Sequence, residues 1–223
     1  YLAMEVRTGK TLTSLGIADR VKAVNVLFVT KKKAISSIED DYQLLNPSFN
    51  LTTINYESIH KIPDIQWDVI ICDEAHSMGA FPKPSKRAKQ VKELIGKTKP
   101  FVILLSGTPT PESFSQMYHQ VYGIPTNPFA HYKNFYRFSD DYVNVRIKPI
   151  GGLQIRDYSA GHESILEMMR PFTINFSQKN AGFEVQTTEE ILYVRMKDAT
   201  YSLAKKLQKH LVVEGKDEVI IHL

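Results

Sequence analysis

Short apolar runs alternate with amphipathic segments along the first half of the chain. The runs at 24–30, 68–72 and 101–105 lack polar alternation, as in strands buried on both faces of a sheet. Strands are predicted at 1–6, 24–30, 51–55, 68–72 and 101–105. Helices are predicted between and after them, at 11–21, 31–45, 85–95 and 111–121. Strands that alternate with helices predict an α/β fold, a parallel sheet flanked by helices on both faces.

The second half of the chain has a different texture. Residues 125–160 are rich in aromatic residues, Pro and Asn, with weak periodicity. Further on, the pattern predicts helices at 162–170 and 198–213 and strands at 172–176 and 190–196. Pro47 is expected to end the helix before it, and Gly96 to close helix 85–95. We therefore divide the chain into a lobe over 1–124, a small irregular and helical extension over 125–185, and a strand and helix over 186–223.

Composition narrows the class of protein. The chain has 223 residues, of which 43% are hydrophobic and 23% charged, and no apolar run is long enough to cross a bilayer. Cys72 is the only cysteine, which excludes an internal disulfide and a cysteine zinc site and favours a reducing, intracellular location. The net charge of +4 is compatible with a polyanionic partner. Because Tyr1 is not an initiator methionine and the last residues are apolar, we expect a piece of a longer protein.

A candidate phosphate loop joins the first strand to the first helix. It reads Met-Glu-Val-Arg-Thr-Gly-Lys-Thr over residues 4–11. Such a loop points backbone N–H groups at phosphates at the positive end of a helix. Gly9 would let the backbone approach, Lys10 would span the β- and γ-phosphates, and the Thr11 hydroxyl would bind Mg²⁺. Met4 stands where the usual pattern has its first glycine, so a helix start that merely contains Gly-Lys-Thr stays open at this point.

An acidic cluster, Asp-Glu-Ala-His over 73–76, follows the third buried strand. Asp73 is placed to reach Mg²⁺, and Glu74 to orient or deprotonate a water that attacks the γ-phosphate. A glycosidase-like carboxylate pair is disfavoured, because adjacent residues of a strand point to opposite faces. The remaining alternative is an acidic turn without chemistry.

Three motifs carry a family resemblance. Residues 5–11, 73–76 and 106–109 (Ser-Gly-Thr-Pro) resemble motifs I, II and III of superfamily-two helicases. The finer likeness is to the Swi/Snf-like branch of double-stranded-DNA translocases, which also has a Glu at the position of Glu5 and lacks the first glycine. Residues 67–71, 170–176 and 190–194 are similar to further segments of that branch. The resemblance runs from residue 2 to about residue 210 and implies the N-terminal, three-layer RecA-like P-loop NTPase lobe of a two-lobe motor.

The resemblance implies ATP and Mg²⁺ as cofactors and assigns roles to the motif residues. The nucleotide-binding residues would be Glu5, Arg7, Thr8, Gly9, Lys10 and Thr11. Lys10 and Glu74 would be catalytic, and Thr11 and Asp73 would hold the metal. Residues 73–76 would form a DEAH box, and His76, Ser106 and Thr108 would couple the nucleotide state to the position of the lobes. The second lobe, with its arginines, is not recognisable here, so this chain alone is expected to be nearly inactive.

Nucleic-acid contacts are also carried over by resemblance. The candidates are Lys31, Lys32, Lys33, Tyr56, Lys83, Lys86 and Arg87. Backbone contacts of this kind position a polyanion without reading its sequence, so binding is expected to be salt-sensitive. A solvated helix face is the alternative for each lysine. The aromatic residues between 129 and 138 suggest either a base-stacking platform or a small core, and we favour the core. The histidines have no metal-ligand spacing.

These observations predict an ATP-dependent nucleic-acid translocase or helicase, acting on double-stranded DNA and partnered by a second RecA-like lobe, with no membrane association. The location would be the cytoplasm of a bacterial or phage-infected cell, or the nucleus if the protein is eukaryotic. Two alternatives stay open. One is the motor lobe of a restriction enzyme or RNA helicase, and the other is a catalytically silent nucleic-acid-binding module.

Overall fold

The computed structural model describes residues 1–151, 153–183, 195, 197–210, 212–214 and 220–222. Its strands are β1 (Leu2–Met4), β2 (Asn25–Thr30), β3 (Asn50–Asn55), β4 (Val69–Cys72), β5 (Phe101–Ser106), β6 (Arg146–Ile150), β7 (Leu153–Asp157), β8 (Ile174–Phe176), β9 (Val212–Glu214) and β10 (Ile220–His222). The strand predicted at 190–196 lies, apart from Arg195, outside the described residues.

The α-helices are α1 (Lys10–Arg20), α2 (Ile35–Leu45), α3 (Lys86–Thr98), α4 (Met117–Gln120), α5 (Phe135–Tyr142), α6 (Ser164–Met169) and α7 (Asp198–His210). Short 3₁₀ turns precede or follow several of them. Over the part of the chain that the structure describes, no helix combines the length and apolarity needed to span a bilayer.

Six strands form one sheet in the order β3-β2-β4-β5-β1-β8, and every neighbouring pair is parallel. The register is continuous across the centre, where Val26 pairs with Val69 and Val69 with Phe101. Parallel neighbours need a crossover connection, and helices supply these crossovers. The prediction of a parallel α/β sheet is therefore confirmed.

Two separate apolar cores cover the two faces of this sheet. On one face, Phe28 of β2 and Ile71 of β4 pack in a cluster that includes Leu15 of α1 and Ile38 of α2. The next residues along the same strands point the opposite way and join a second cluster with α3 and α4. Because alternate side chains of one strand enter different cores, the sheet is a middle layer between two helical layers. This is the three-layer, RecA-like architecture that the sequence predicted.

Helix α3 corrects one predicted boundary. Gly96 was expected to close this helix, but α3 continues through it to Thr98. Lys99 then adopts a left-handed φ of 48°, and its N–H bonds to the carbonyl of Ile95. The buried face of the helix extends beyond the glycine, and burial there outweighs the cost of about 1 kcal/mol for glycine within a helix.

Two other helices begin later than predicted. Lys31 has extended backbone and is followed by a 3₁₀ turn, so α2 begins only at Ile35. The helix expected from residue 111 begins as a 3₁₀ turn at Phe114, because Ser113 and Gln116 form a capping box there. The lysine run at 31–33 is therefore held on a turn at the end of β2.

Most of the predicted extension over 125–185 belongs to the same compact unit as the lobe over 1–124. One compact unit contains residues 1–147 and 156–184, and the other contains residues 148–155 and 185–223. In the first unit, β8 pairs with β1 and completes the main sheet. In the rest of the described chain, β6 pairs with β7 and β9 with β10, each as a two-stranded sheet.

The aromatic residues after α4 form a core. Phe129, Phe135 and Phe138 are buried, and the Phe129 ring meets Phe138 edge-on with centroids 5.1 Å apart. His119 is buried beside Phe135, its Nδ1 lies 2.6 Å from the Ala80 carbonyl oxygen, and burial lowers its pKa to about 4. These contacts confirm the core interpretation, although Tyr136 is exposed.

Candidate active site

An open cleft of about 1010 Å³ lies at the carboxyl edge of the sheet. The strands β1, β2, β4, β5 and β8 all end at this edge, where parallel sheets present their binding loops. The predicted residues that line the cleft are Glu5, Arg7, Gly9, Lys10, Thr11, Lys31, Asp73, Glu74, His76 and Thr108. Asp41, Gly107 and Gln178 also line it and were not predicted. The phosphate loop and the acidic cluster, 62 or more residues apart in sequence, therefore face one space.

The phosphate loop takes its shape from two left-handed residues. Arg7 has a φ of 63° and Gly9 a φ of 85°. No atom lies within 4 Å of a Cβ built on Gly9, so the backbone face is open there. The Thr8 hydroxyl donates to the Glu5 carbonyl within the loop (2.7 Å). Among the described residues no side chain caps α1, so its first N–H groups are left for an anion.

The Lys10 amine lies across the loop that precedes it. Its Nζ donates to the carbonyl oxygens of Met4 (2.7 Å) and Glu5 (2.8 Å). Partial burial lowers the pKa of Lys10, and the nearby carboxylates of Asp73 and Glu74 oppose this shift. The amine is therefore held at the cleft within the electrostatic reach of both acidic residues.

Asp73 is fixed by two neighbouring strands. Its Oδ2 accepts a hydrogen bond from the Thr30 hydroxyl at the end of β2 (2.7 Å). Burial raises the pKa of the Asp73 carboxyl, while the Thr30 hydrogen bond works in the opposite direction. A partly buried carboxylate with a raised pKa at the end of a strand is typical of a functional position.

Tyr56 packs in the core beneath the sheet edge and supports the backbone of Asp73. It is too buried to be the nucleic-acid contact that was predicted. Its ring is only 1% exposed, and its hydroxyl donates to the Asp73 carbonyl (2.6 Å). An aromatic residue next to a short strand looks the same in sequence whether it points inwards or outwards. The prediction was wrong because this side chain completes the apolar core under the acidic cluster.

Glu74 has an unusual backbone conformation. Its φ of 49° is left-handed, which costs a non-glycine residue roughly 1–2 kcal/mol. This turn breaks the alternation of the strand, so Asp73 and Glu74 both line the cleft. The Glu74 Oε1 lies 3.4 Å from Lys31 Nζ, and the Oε2 lies 3.3 Å from His76 Nδ1. Strain at a cleft carboxylate of this kind is characteristic of active sites.

His76 links the acidic cluster to the loop after β5. Its Nδ1 lies 2.9 Å from the Ser106 hydroxyl oxygen, which also accepts a hydrogen bond from the Thr108 N–H (3.1 Å). Ser106 is fully buried at the end of β5, whereas Thr108 is exposed beside the cleft. Ser106 therefore joins His76 to Thr108, so the three residues predicted to couple nucleotide state to movement form one hydrogen-bonded chain.

Gln178 is the unpredicted lining residue that holds the phosphate loop in place. It follows β8, its N–H donates to the Glu5 carboxylate (2.6 Å), and its Nε2 donates to the Val6 carbonyl (3.0 Å). Glu5 therefore braces the phosphate loop against a segment 173 residues away in sequence. The only signal available was the likeness of residues 170–176 to a family segment, which ends two residues earlier.

Most of the predicted basic contacts are exposed. Lys32, Lys33, Lys83 and Lys86 lie at the surface. Arg87 is partly engaged, because its Nη2 pairs with Glu57 (2.5 Å) and its guanidinium lies 5.3 Å from the Tyr56 ring centroid. The structure thus leaves four of the seven candidates fully available to a polyanion.

The residues of the cleft fit a magnesium–nucleotide. The open face above Gly9 and the uncapped helix suit phosphate oxygens. Mg²⁺ prefers oxygen ligands and usually takes only one or two carboxylates, with water and phosphate completing the shell. The Thr11 hydroxyl and the Asp73 carboxylate provide that donor set, and no cluster of three or more potential ligands of the His, Cys, Asp and Glu type occurs among the described residues.

The raised pKa of Asp73 leads to a stability prediction. In nucleotide-free buffer at pH 8, Asp73→Asn is expected to raise the midpoint of thermal unfolding by about 2–4 °C, which corresponds to about 1 kcal/mol in a domain of this size. The fold disfavours the charged carboxyl, so wild type is penalised above the folded pKa. That penalty disappears as the pH falls through the folded pKa towards the unfolded value. Calorimetric melts from pH 8 down to about pH 4, near the unfolded value of an Asp carboxyl, should show the two proteins converging.

A matched control is Asp64→Asn at an exposed ion pair with Lys97. This variant should not show the same convergence. Adding Mg²⁺ with ADP should stabilise wild type more than Asp73→Asn. A variant that is less stable than wild type at pH 8, or an advantage that does not change with pH, would contradict the electrostatic interpretation.

Comparison with known proteins agrees with the motifs. The sequence model of the SNF2-related domain matches residues 5–220, which is nearly the whole chain. The RNA polymerase-associated protein RapA of Yersinia pestis (strain Pestoides F) is 32% identical over 80 residues, which are 36% of this chain and 8% of RapA. RapA of Serratia proteamaculans (strain 568) is 32% identical over 95 residues, which are 42% of this chain and 10% of RapA.

The chain therefore spans only a small part of these relatives, and the likeness to them is regional. The family match, in contrast, covers the phosphate loop, the acidic cluster, the loop after β5 and the strand β8 together. The chain belongs to the SNF2-related domain family and is a Swi/Snf-like superfamily-two motor lobe.

Proposed function

We propose that this chain is the ATP-binding lobe of a motor that couples ATP hydrolysis to movement on double-stranded DNA. The observation that carries the proposal is the meeting of Lys10, Asp73 and Glu74 at one cleft at the carboxyl edge of the sheet. Family membership supports an ATP-dependent enzyme that acts on nucleic acid. Action inside a cell, where ATP and DNA occur together, follows from the same proposal.

The residues of the cleft divide the work of phosphoryl transfer. The N–H groups at the start of α1 and the Lys10 amine would hold the phosphates, and Thr11 and Asp73 would hold Mg²⁺. Bound Mg²⁺ would neutralise the charge that develops on the phosphoryl oxygens. To bind phosphate, the Lys10 amine must give up its hydrogen bonds to the carbonyl oxygens of Met4 and Glu5 and form bonds to phosphate oxygens instead.

Glu74 would orient the attacking water and accept its proton. Its left-handed turn brings the carboxylate to the cleft beside Asp73, which a regular strand would not do. His76, Ser106 and Thr108 would transmit changes at that carboxylate to the loop after β5. The hydrogen bonds of His76 and Thr108 to Ser106 support this coupling role.

A second lobe would complete the site. In related phosphoryl-transfer enzymes, an arginine supplied from another domain or protein provides a large part of the rate. Within the described residues no arginine other than Arg7 lines the cleft, so this chain alone should hydrolyse ATP very slowly. Lys31, Lys32, Lys33, Lys83 and Lys86 are exposed and are our candidates for DNA phosphate contacts, although Lys31 also contacts Glu74. RapA's association with RNA polymerase is not carried over, because the aligned segments cover 8–10% of that protein.

The test is ATP hydrolysis by a protein that contains this chain and its proposed second lobe. Turnover would be measured without polymer and with duplex DNA, single-stranded DNA or duplex RNA of equal length. We expect the strongest stimulation by duplex DNA, independent of its sequence and weakened by salt. Displacement of a third DNA strand would report movement. This chain alone, assayed in parallel, should be nearly inactive.

Each alternative has its own outcome in this test. Strongest stimulation by RNA would favour an RNA helicase, and a linked nuclease activity would favour the motor of a restriction enzyme. Nucleic-acid binding without hydrolysis in the two-lobe protein would overturn the motor proposal and favour a silent binding module.

A further inference from the structure

Both carboxylate oxygens of Glu74 already have a neighbour. Oε1 faces the Lys31 ammonium at 3.4 Å, and Oε2 faces His76 Nδ1 at 3.3 Å. Each oxygen can accept more than one hydrogen bond, so these neighbours do not block Glu74, but together they hold its carboxylate in one orientation. Turning the carboxylate towards an attacking water therefore requires one of the two contacts to be given up.

The His76 side is poorly suited to withdraw. The same Nδ1 lies 2.9 Å from Ser106 Oγ, and Ser106 is fully buried at the end of β5. Lys31 differs in every respect. It lies on extended backbone just after β2, its side chain is 57% exposed, and Lys32 and Lys33 follow it at the surface. Release of the Glu74 carboxylate is therefore expected on the Lys31 side.

A nucleic-acid phosphate can compete for Lys31. An exposed ion pair in water is weak, so a polyanion that binds the 31–33 run can replace Glu74 as the partner of Lys31. The Lys31–Glu74 contact joins one of the basic candidates directly to the proposed water-activating residue. No movement of the sheet is needed, because only the lysine side chain has to turn away.

We propose that Lys31 is a positioning residue that restrains Glu74 until a nucleic-acid phosphate takes over its ammonium group. The inference rests on the proposed function and describes how that site would be regulated. When nucleic acid binds, Lys31 exchanges the Glu74 carboxylate for a phosphate, and Glu74 is released in the same step. By linkage, Glu74 must in turn weaken nucleic-acid binding, because it competes for the same lysine.

This reciprocity can be tested by binding alone. Dissociation constants for duplex DNA would be measured by fluorescence anisotropy, at fixed salt, for this chain as wild type, Glu74→Gln, Lys31→Ala and the double variant. Glu74→Gln should bind about two- to fivefold more tightly, the factor that one exposed ion pair is worth. In the Lys31→Ala background the same substitution should have no effect. Repeating the cycle with Lys33→Ala, a lysine of the same exposed run, should leave the Glu74→Gln effect intact.

Two further measurements test which phosphate Lys31 binds and whether its effect is specific. The first distinguishes a specific role of Lys31 from a general effect of charge, and the second distinguishes nucleic-acid phosphate from nucleotide phosphate. Lys31→Arg should restore the coupling to Glu74, and Lys31→Ala should leave the affinity for Mg²⁺ with ADP unchanged. In the two-lobe protein, Lys31→Ala should raise polymer-independent kcat several-fold without changing the KM for ATP, and so reduce stimulation by DNA.

The outcomes are distinguishable. Tighter binding by Glu74→Gln that persists without Lys31 would reflect bulk charge and overturn the inference. A loss of nucleotide affinity in Lys31→Ala would assign the lysine to the nucleotide and also overturn it. Failure of every variant to bind DNA would overturn the inference together with the proposed function, whereas DNA binding without coupling would overturn the inference alone.

Discussion

Glu74→Gln is expected to lower the rate of ATP hydrolysis by the two-lobe protein by about 10²–10⁴-fold, the range that a positioned general base supplies. Glutamine keeps the shape of the side chain but cannot take a proton from water. Because Glu74 lies beside Asp73, the proposed metal ligand, and is not itself assigned to phosphate binding, nucleotide affinity should change little. Steady-state turnover with duplex DNA and calorimetric titration with Mg²⁺ and ADP measure the two quantities on the same variant.

Glu57→Gln is the matched control, since Glu57 is an exposed glutamate whose carboxylate pairs with Arg87 away from the cleft. Its turnover should stay close to that of wild type. If Glu74→Gln retained more than about a tenth of wild-type turnover, Glu74 would not be the residue that activates water.

Lys10→Ala is expected to weaken binding of Mg²⁺ with ADP or a slowly hydrolysed ATP analogue by about 100-fold or more. A charged hydrogen bond contributes about 1.5–3 kcal/mol, and Lys10 is expected to make more than one to phosphate oxygens. The substitution also removes the amine that now bonds to Met4 and Glu5, so folding must be checked by circular dichroism. Calorimetric titration of this chain is the direct measurement.

Lys22→Ala, at an exposed lysine just after α1, controls for a general loss of positive charge. It should bind nucleotide like wild type. Equal nucleotide binding by wild type and Lys10→Ala would mean that the loop is a structural remnant, and the silent binding module would then be the better description.

Much of the fold could be predicted because its causes are local. The buried strands at 24–30 and 68–72 are recognisable in the sequence as apolar runs, and their alternation with helices predicts a parallel sheet. Boundaries were less secure, as α3 shows. Glycine disfavours a helix at Gly96, but the apolar face of α3 continues past it, and only packing against the sheet decides between the two.

In the candidate site too, the residues of local motifs could be predicted, whereas the residues defined by long-range contacts could not. The phosphate loop and the acidic cluster were recognisable because each is a contiguous string whose chemistry depends on spacing. Tyr56 and Gln178 were not assigned correctly, because their roles are contacts with Asp73 and Glu5, which lie 17 and 173 residues away. No periodicity within a segment records such a contact.

By itself, the sequence determined the layered α/β architecture, the family and the two strings proposed to bind phosphate and metal, since short-range pattern and residue chemistry suffice for these. The tertiary structure alone decided that Glu74 turns into the cleft beside Asp73, that its carboxylate lies 3.4 Å from the Lys31 ammonium and that the turn after β8 braces the phosphate loop. The physical reason is that these features arise where strands far apart in sequence end at one edge of a sheet, and their side chains meet only once that sheet has formed.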